Sequence, residues 1–230
     1  MIENVIGLKM DQWAQDKAEE YFVRICGQVP KDQESFVSRM RVGSHLDIKA
    51  SFKEYDYIAF HGETDGVKVG EELFQGGIFR YFNQKEPVKI LPYLLTIGPL
   101  PRQGTKGLLE EFYVDAWGSA YVEAAHDLLK KRLKRIYGNS LYLSEPFGPG
   151  YYGIPVEGTR GLFRLLDASR LGMELNESGM MLPEKSCSGF FVLTRRPAPL
   201  PKDCCESCLS PHSCGYCRKY EGQEIGKTQQ

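Results

Sequence analysis

Residues 162–191 read LFRLLDASRLGMELNESGMMLPEKSCSGFF, and the change of pattern inside them decides the fold. Leu162, Phe163, Leu165 and Leu166 gather apolar side chains at helical spacing, which predicts a helix from about Thr159 to Leu171. Gly172 ends it, because glycine accepts the left-handed backbone at which helices commonly stop. Beyond it, Met173–Glu177 and Ser186–Thr194 read as strands. Helix and strand follow each other closely, so the class is mixed α and β.

Upstream, SEPFGPGYYGIPVEG at 144–158 is a loop rich in glycine and proline. Its glycines let backbone approach a ligand closely, but it matches neither the dinucleotide nor the P-loop fingerprint. Thr105–Tyr137 is predicted as one long helix with Thr105 as N-cap and Gly138 as C-terminal cap. Leu109, Phe112, Tyr113, Ala116, Ala120, Ala124 and Leu128 form its apolar stripe, and Glu123 falls on the flank of that stripe. The basic run Lys130, Lys131, Arg132, Lys134 and Arg135 suits the negative end of the helix dipole. Residues 11–26 are predicted as a helix capped by Asp11. Tyr55–Phe60 reads as a short strand, Gly62–Gly70 as a turn-rich connection, and Val88–Ile97 as a strand broken by Pro92.

With 29 basic and 30 acidic residues among 230, the chain has no electrostatic footprint for nucleic acid or an anionic membrane. No run of eighteen apolar residues is present, and the N-terminus has no signal-peptide pattern, so a cytoplasmic location is expected.

RRPAPLPKD at 195–203 reads as a proline-rich linker. It leads to Cys204, Cys205, Cys208, Cys214 and Cys217, and a polar tail occupies 221–230. Cys205/Cys208 and Cys214/Cys217 are two C-x-x-C pairs whose short loops let four thiolates converge on one metal centre. The short spacing between the pairs favours an iron–sulfur cluster, expected as 4Fe-4S, over zinc; Cys204 and His212 are spare ligands. The organisation expected is a domain at 1–194, the linker, a metal-binding segment at 204–220 and the tail.

The stretch that decides the fold also carries a family resemblance. LFRLLD followed by GMELNESGMMLPEKSCSGFF resembles the activation domain of cobalamin-dependent methionine synthase, keeping Glu177, Ser178, Met181, Pro183, Ser186, Ser188 and Gly189 of its pattern. DAWGSAYVEA at 115–124 looks like the corresponding helix of stand-alone members, and the preceding TIG at 96–98 is typical of them. The resemblance covers about residues 88–194. It implies an α+β fold, with a curved, largely antiparallel sheet and flanking helices. It implies a role in reductive reactivation of a corrinoid methyltransferase, with a corrinoid protein as partner. It implies Glu123, Gly150, Tyr151 and Gly153 as cofactor-contacting residues, and S-adenosylmethionine as a candidate ligand. Pro146 stands where the family has arginine, so that candidate lacks the usual partner of its carboxylate. Beside this resemblance, the cysteine-bound centre is expected to deliver one electron to Co(II). The alternative is a non-enzymatic docking module with structural zinc.

Overall fold

A computed structural model describes residues 3–27, 32–62, 65–105, 107–138 and 140–199. The first half of the chain runs β1 (Asn4–Gly7), α1 (Gln12–Cys26), α2 (Gln33–Ser44), β2 (Lys49–Phe52), β3 (Tyr55–Asp56), β4 (Ile58–Phe60), β5 (Gly66–Val69), β6 (Glu72–Gln75), α3 (Gly77–Asn83) and β7 (Pro87–Thr96). The second half runs α4 (Leu108–Tyr137), β8 (Tyr142–Leu143), α5 (Gly158–Leu165), a 3-10 turn (Ala168–Leu171), β9 (Glu174–Leu175), β10 (Met181–Leu182) and β11 (Ser186–Thr194).

The long strands β7 and β11 pair antiparallel at the centre of a curled sheet of order β1-β2-β7-β11-β8, with β3 also on β7. Both faces of this pair are covered. Leu91, Tyr93, Leu95, Phe191 and Leu193 face α1, α2 and α4. Ile90, Leu94, Phe190 and Val192 face a second core with Val67, Val69, Phe74, Phe79, Phe82 and Leu162. A strand buried on both faces has no polar side to alternate with, which is why ILPYLL and FFVL are nearly continuous apolar runs.

α4 lies over the first face. Its small residues Ala116, Ala120, Ala124 and Ala125 are buried and let the helix settle closely on its neighbours. α1 packs along it, and Phe22 stacks on Trp117 with ring centroids 3.9 Å apart. Asp11 caps α1 as expected, its side chain accepting from the Ala14 N–H at 2.9 Å.

Several expectations are corrected. Pro92 does not break β7. The Pro92 carbonyl accepts from the Lys53 N–H, so the edge on which Pro92 lacks a donor faces the gap where β2 gives way to β3; no ladder bond is lost there. Gly62–Gly70 is not all turn: Gly66–Val69 is the middle strand of a β4-β5-β6 sheet. The strand expected over Tyr55–Phe60 is two strands separated at Tyr57. The long helix begins at Leu108, after Gly107. Thr105 lies in the preceding turn, its one hydroxyl proton within reach of the Arg102 carbonyl at 3.1 Å and the Glu111 carboxylate at 3.3 Å. Leu109 and Phe112 of the expected stripe are exposed; its remaining members are buried. The helix expected to reach Leu171 ends at Leu165, and the 3-10 turn completes the stretch. Gly172 then adopts φ 68°, the left-handed cap anticipated for it.

The described part of the expected linker is held on the domain. Ala198 is buried in the second core, the Arg195 N–H donates to the Glu86 carbonyl, and Arg196 pairs with Glu86 at 2.7 Å. The Tyr81 hydroxyl donates to the Pro199 carbonyl.

Candidate functional site

The strand register builds the site. Gly189 lies opposite Tyr93, and Cys187, two residues away, shares its face. A Cβ on Gly189 would meet the Phe147 carbonyl oxygen at 2.4 Å and the Tyr93 hydroxyl at 3.0 Å. A Cβ on Gly148 would meet the Ser188 carbonyl oxygen at 2.8 Å. These two glycines thus let the loop after β8 cross directly over β11. The crossing is fixed by reciprocal backbone bonds between Phe147 and Phe190, at 3.1 and 2.7 Å.

The same loop then turns sharply. Gly150 (φ 85°), Tyr152 (φ 56°) and Gly153 (φ 79°) take left-handed backbone, and the Gly150 N–H donates to the Ile154 carbonyl at 2.9 Å. Ile154 is buried and anchors the turn, while Tyr151 at its tip is 60% exposed. Gly150 and Gly153 therefore shape the loop that presents Tyr151. On the other side of the loop stands α3: the Phe147 ring stacks on Phe82 at 5.0 Å, and a Cβ on Gly76 would touch Ile154.

α4 contributes Glu123 and, one turn on, His126. Glu123 is largely buried and carries no hydrogen bond or ion pair among the described residues. Burial, reinforced by the negative charge of Asp127, raises its carboxyl to about 7. The Tyr93 hydroxyl is raised by burial and by the nearby Cys187, Glu123 and Tyr151. The Cys187 thiol is raised by burial and then by Glu123, so it is a thiol rather than a thiolate at neutral pH. The His126 ring lies 5.1 Å from Tyr93 and 6.0 Å from Phe191; burial, then Lys130, lowers it to about 4. Its Nε2 has no hydrogen-bond partner among the described residues. Lys130, one turn further, pairs with Glu145 at the start of the loop.

The structure thus brings Glu123, Tyr151 and the glycine turn to one region and adds Tyr93, Cys187 and His126. The cysteines Cys204, Cys205, Cys208, Cys214 and Cys217 lie outside the described residues. Among the described residues no group of three or more His, Cys, Asp or Glu is placed to hold a metal. None of their helices is long and apolar enough to cross a membrane.

No family model matches the chain, and no curated protein matches it in sequence. Among solved structures, the crystal structure of the MetH reactivation domain bound to AdoHcy superposes with a TM-score of 0.62 at 14% identity, covering 90% of this chain and 84% of that one. The chain has the fold of a MetH reactivation domain. The expected α+β fold is therefore found, with its curled antiparallel sheet. In this reactivation-domain fold, the strand register and the long helix bring Glu123, which has no hydrogen bond or ion pair among the described residues, and the loop tip Tyr151 to the neighbourhood of one hydroxyl, that of Tyr93.

That region fits one half of S-adenosylmethionine better than the other. A lone, largely buried carboxyl is a natural counter-ion for a sulfonium or ammonium. The carboxylate end has no guanidinium at Pro146, and Lys130, the basic side chain flanking the loop, is engaged by Glu145.

Proposed function

We propose that this protein serves a corrinoid-dependent methyltransferase in reductive reactivation, receiving the partner's corrinoid at the face that carries residues 146–155. The observation that carries the reading is the likeness in fold over 90% of the chain to a MetH reactivation domain bound to AdoHcy. Glu123, without a hydrogen bond or ion pair among the described residues and close to Tyr93 as Tyr151 is, supports a ligand site in the same region.

Under this reading Cys205, Cys208, Cys214 and Cys217, with Cys204 in reserve, hold an iron–sulfur cluster. A cluster held by these thiolates would supply the one electron that takes Co(II) to Co(I), and a low-potential one-electron carrier would have to restore it. The two C-x-x-C pairs support this, as does the point of attachment: Pro199 is tied to α3, which packs against the loop. The residues present leave the carboxylate of S-adenosylmethionine unmatched, so methyl transfer from it forms no part of this function. That mismatch favours a second reading, a docking module with structural zinc on the cysteines.

The test is anaerobic purification with metal and sulfide analysis, followed by titration with cob(II)alamin monitored by EPR. Iron and sulfide in cluster stoichiometry, with a perturbed Co(II) signal, are expected. Stoichiometric zinc without iron would remove the electron-transfer part. An unperturbed Co(II) signal at millimolar protein, with free corrinoid and with a corrinoid protein alike, would remove the corrinoid reading.

A further inference from the structure

A concave site lies toward the C-terminal end of α4. It is a cleft of about 370 Å³ between the β1–α1 connection and the C-terminal half of α4, lined by Ile6–Lys9, Asp11, Leu128, Lys131, Arg132 and Arg135. Residues 128, 131, 132 and 135 share one helical face, so the stripe that is apolar earlier along α4 becomes basic where it meets the cleft.

The charge is one-sided. Four cations line the cleft against a single acid, in a chain whose totals are 29 basic and 30 acidic. Asp11 is already committed as the α1 cap, and Lys131 sits 3.8 Å from it while covering the Trp13 ring at 4.1 Å. Lys9, Arg132 and Arg135 have no acid partner among the described residues, whereas Arg102, Arg164 and Lys89 elsewhere are each paired with carboxylates. Three unpaired cations converging on a concavity is an arrangement that a multivalent anion relieves. Ile6, Leu8 and Leu128 supply apolar wall beside the charges. A Cβ on Gly7 would meet nothing within 4 Å, so the floor is open. The volume is at the small end of the range for ligand pockets.

We propose that this cleft binds a phosphate-bearing small molecule, a diphosphate or a nucleotide. The guanidinium groups of Arg132 and Arg135 take phosphate oxygens, Lys9 and Lys131 supply further charge, and the apolar wall receives the rest of the ligand. This site is separate from the one around Glu123 and does not depend on the corrinoid reading.

The test uses the full chain and the probes inorganic pyrophosphate and ATP, in calorimetry and in tryptophan emission at constant ionic strength. Saturable binding near one equivalent is expected, with an emission change that vanishes in Trp13→Phe because the anion competes for Lys131. Arg132→Gln/Arg135→Gln, at exposed positions, should weaken binding roughly tenfold or more, as expected for losing charge-assisted hydrogen bonds. Lys68→Gln/Arg170→Gln removes the same charge away from the cleft and should leave affinity within about twofold, since screening confines such effects to short range. Gly7→Leu, which fills the floor without altering charge, should weaken both probes. ATP binding tighter than pyrophosphate would assign the apolar wall to a nucleoside. Absence of saturable binding below 10 mM, or equal losses in the two double variants, would overturn the proposal (the 10 mM limit being roughly where a site contributes under 3 kcal/mol).

Discussion

At the scale of single residues, Glu123 and His126 oppose each other in pH dependence. Glu123 is raised to about 7 in the fold, so between its unfolded value near 4.5 and 7 the native state holds the extra proton and stability falls as pH rises. His126 is lowered to about 4, so between about 4 and 6.5 the unfolded state holds the extra proton and stability rises with pH. The two slopes largely cancel between about pH 4.5 and 6.5. Glu123→Gln should expose the His126 slope, giving a melting temperature that climbs from pH 4.5 to 6.5 and then levels off; unfolding curves across that range check this. If Glu123 is the counter-ion of a bound cation, affinity for a sulfonium ligand should rise roughly tenfold from pH 6 to pH 8, following ionisation of a group near 7. Gly189→Ala drives a methyl into the Phe147 carbonyl and should cost about 1–3 kcal/mol, read as an earlier denaturation midpoint.

At the scale of elements, the parts legible in the sequence are those whose determinants are local. α1 carries its own cap in Asp11, β11 matches its predicted bounds of Ser186–Thr194, and Gly172 closes the preceding turn as anticipated. The errors arise where a partner elsewhere decides. Pro92 reads as a breaker until its donor-less nitrogen is seen to face the gap between β2 and β3. Leu109 and Phe112 fit the helical stripe, but they sit in the first turns of α4 and stay exposed, while the rest of the stripe is buried, largely against α1 and α2. The site divides the same way. Helical phase puts Glu123 on the flank of the stripe and the family resemblance makes it a site candidate, whereas Tyr93, Cys187 and His126 come near it through the β7–β11 register and the packing of α4, which local sequence does not encode. The Pro92 geometry is checkable: Pro92→Ala should change stability by less than about 1 kcal/mol, since no ladder bond is gained, as measured by chemical denaturation.

At the scale of the whole molecule, the two cores are complete by Ala198. A chain ending at residue 199 should therefore melt within a few degrees of the full chain, while losing whatever metal the protein carries. A chain ending at residue 194 loses the buried Ala198, the Arg196–Glu86 pair and the Tyr81 bond to Pro199. It should be destabilised by roughly 2–4 kcal/mol, the sum of one small apolar burial, a surface pair and a hydrogen bond. Comparing both truncations by thermal melting and metal content separates the tail's contribution to folding from its contribution to chemistry.

The bond from Tyr81 to Pro199 also fixes kinetics. Cys204 is the fifth residue after Pro199, so five extended steps limit it to roughly 18 Å from that anchor. A group carried there would meet the loop on α3 at an effective concentration in the millimolar range typical of short tethers. Electron delivery from it would be first order and indifferent to protein dilution. The same tail supplied as a separate peptide would need millimolar amounts to match that rate.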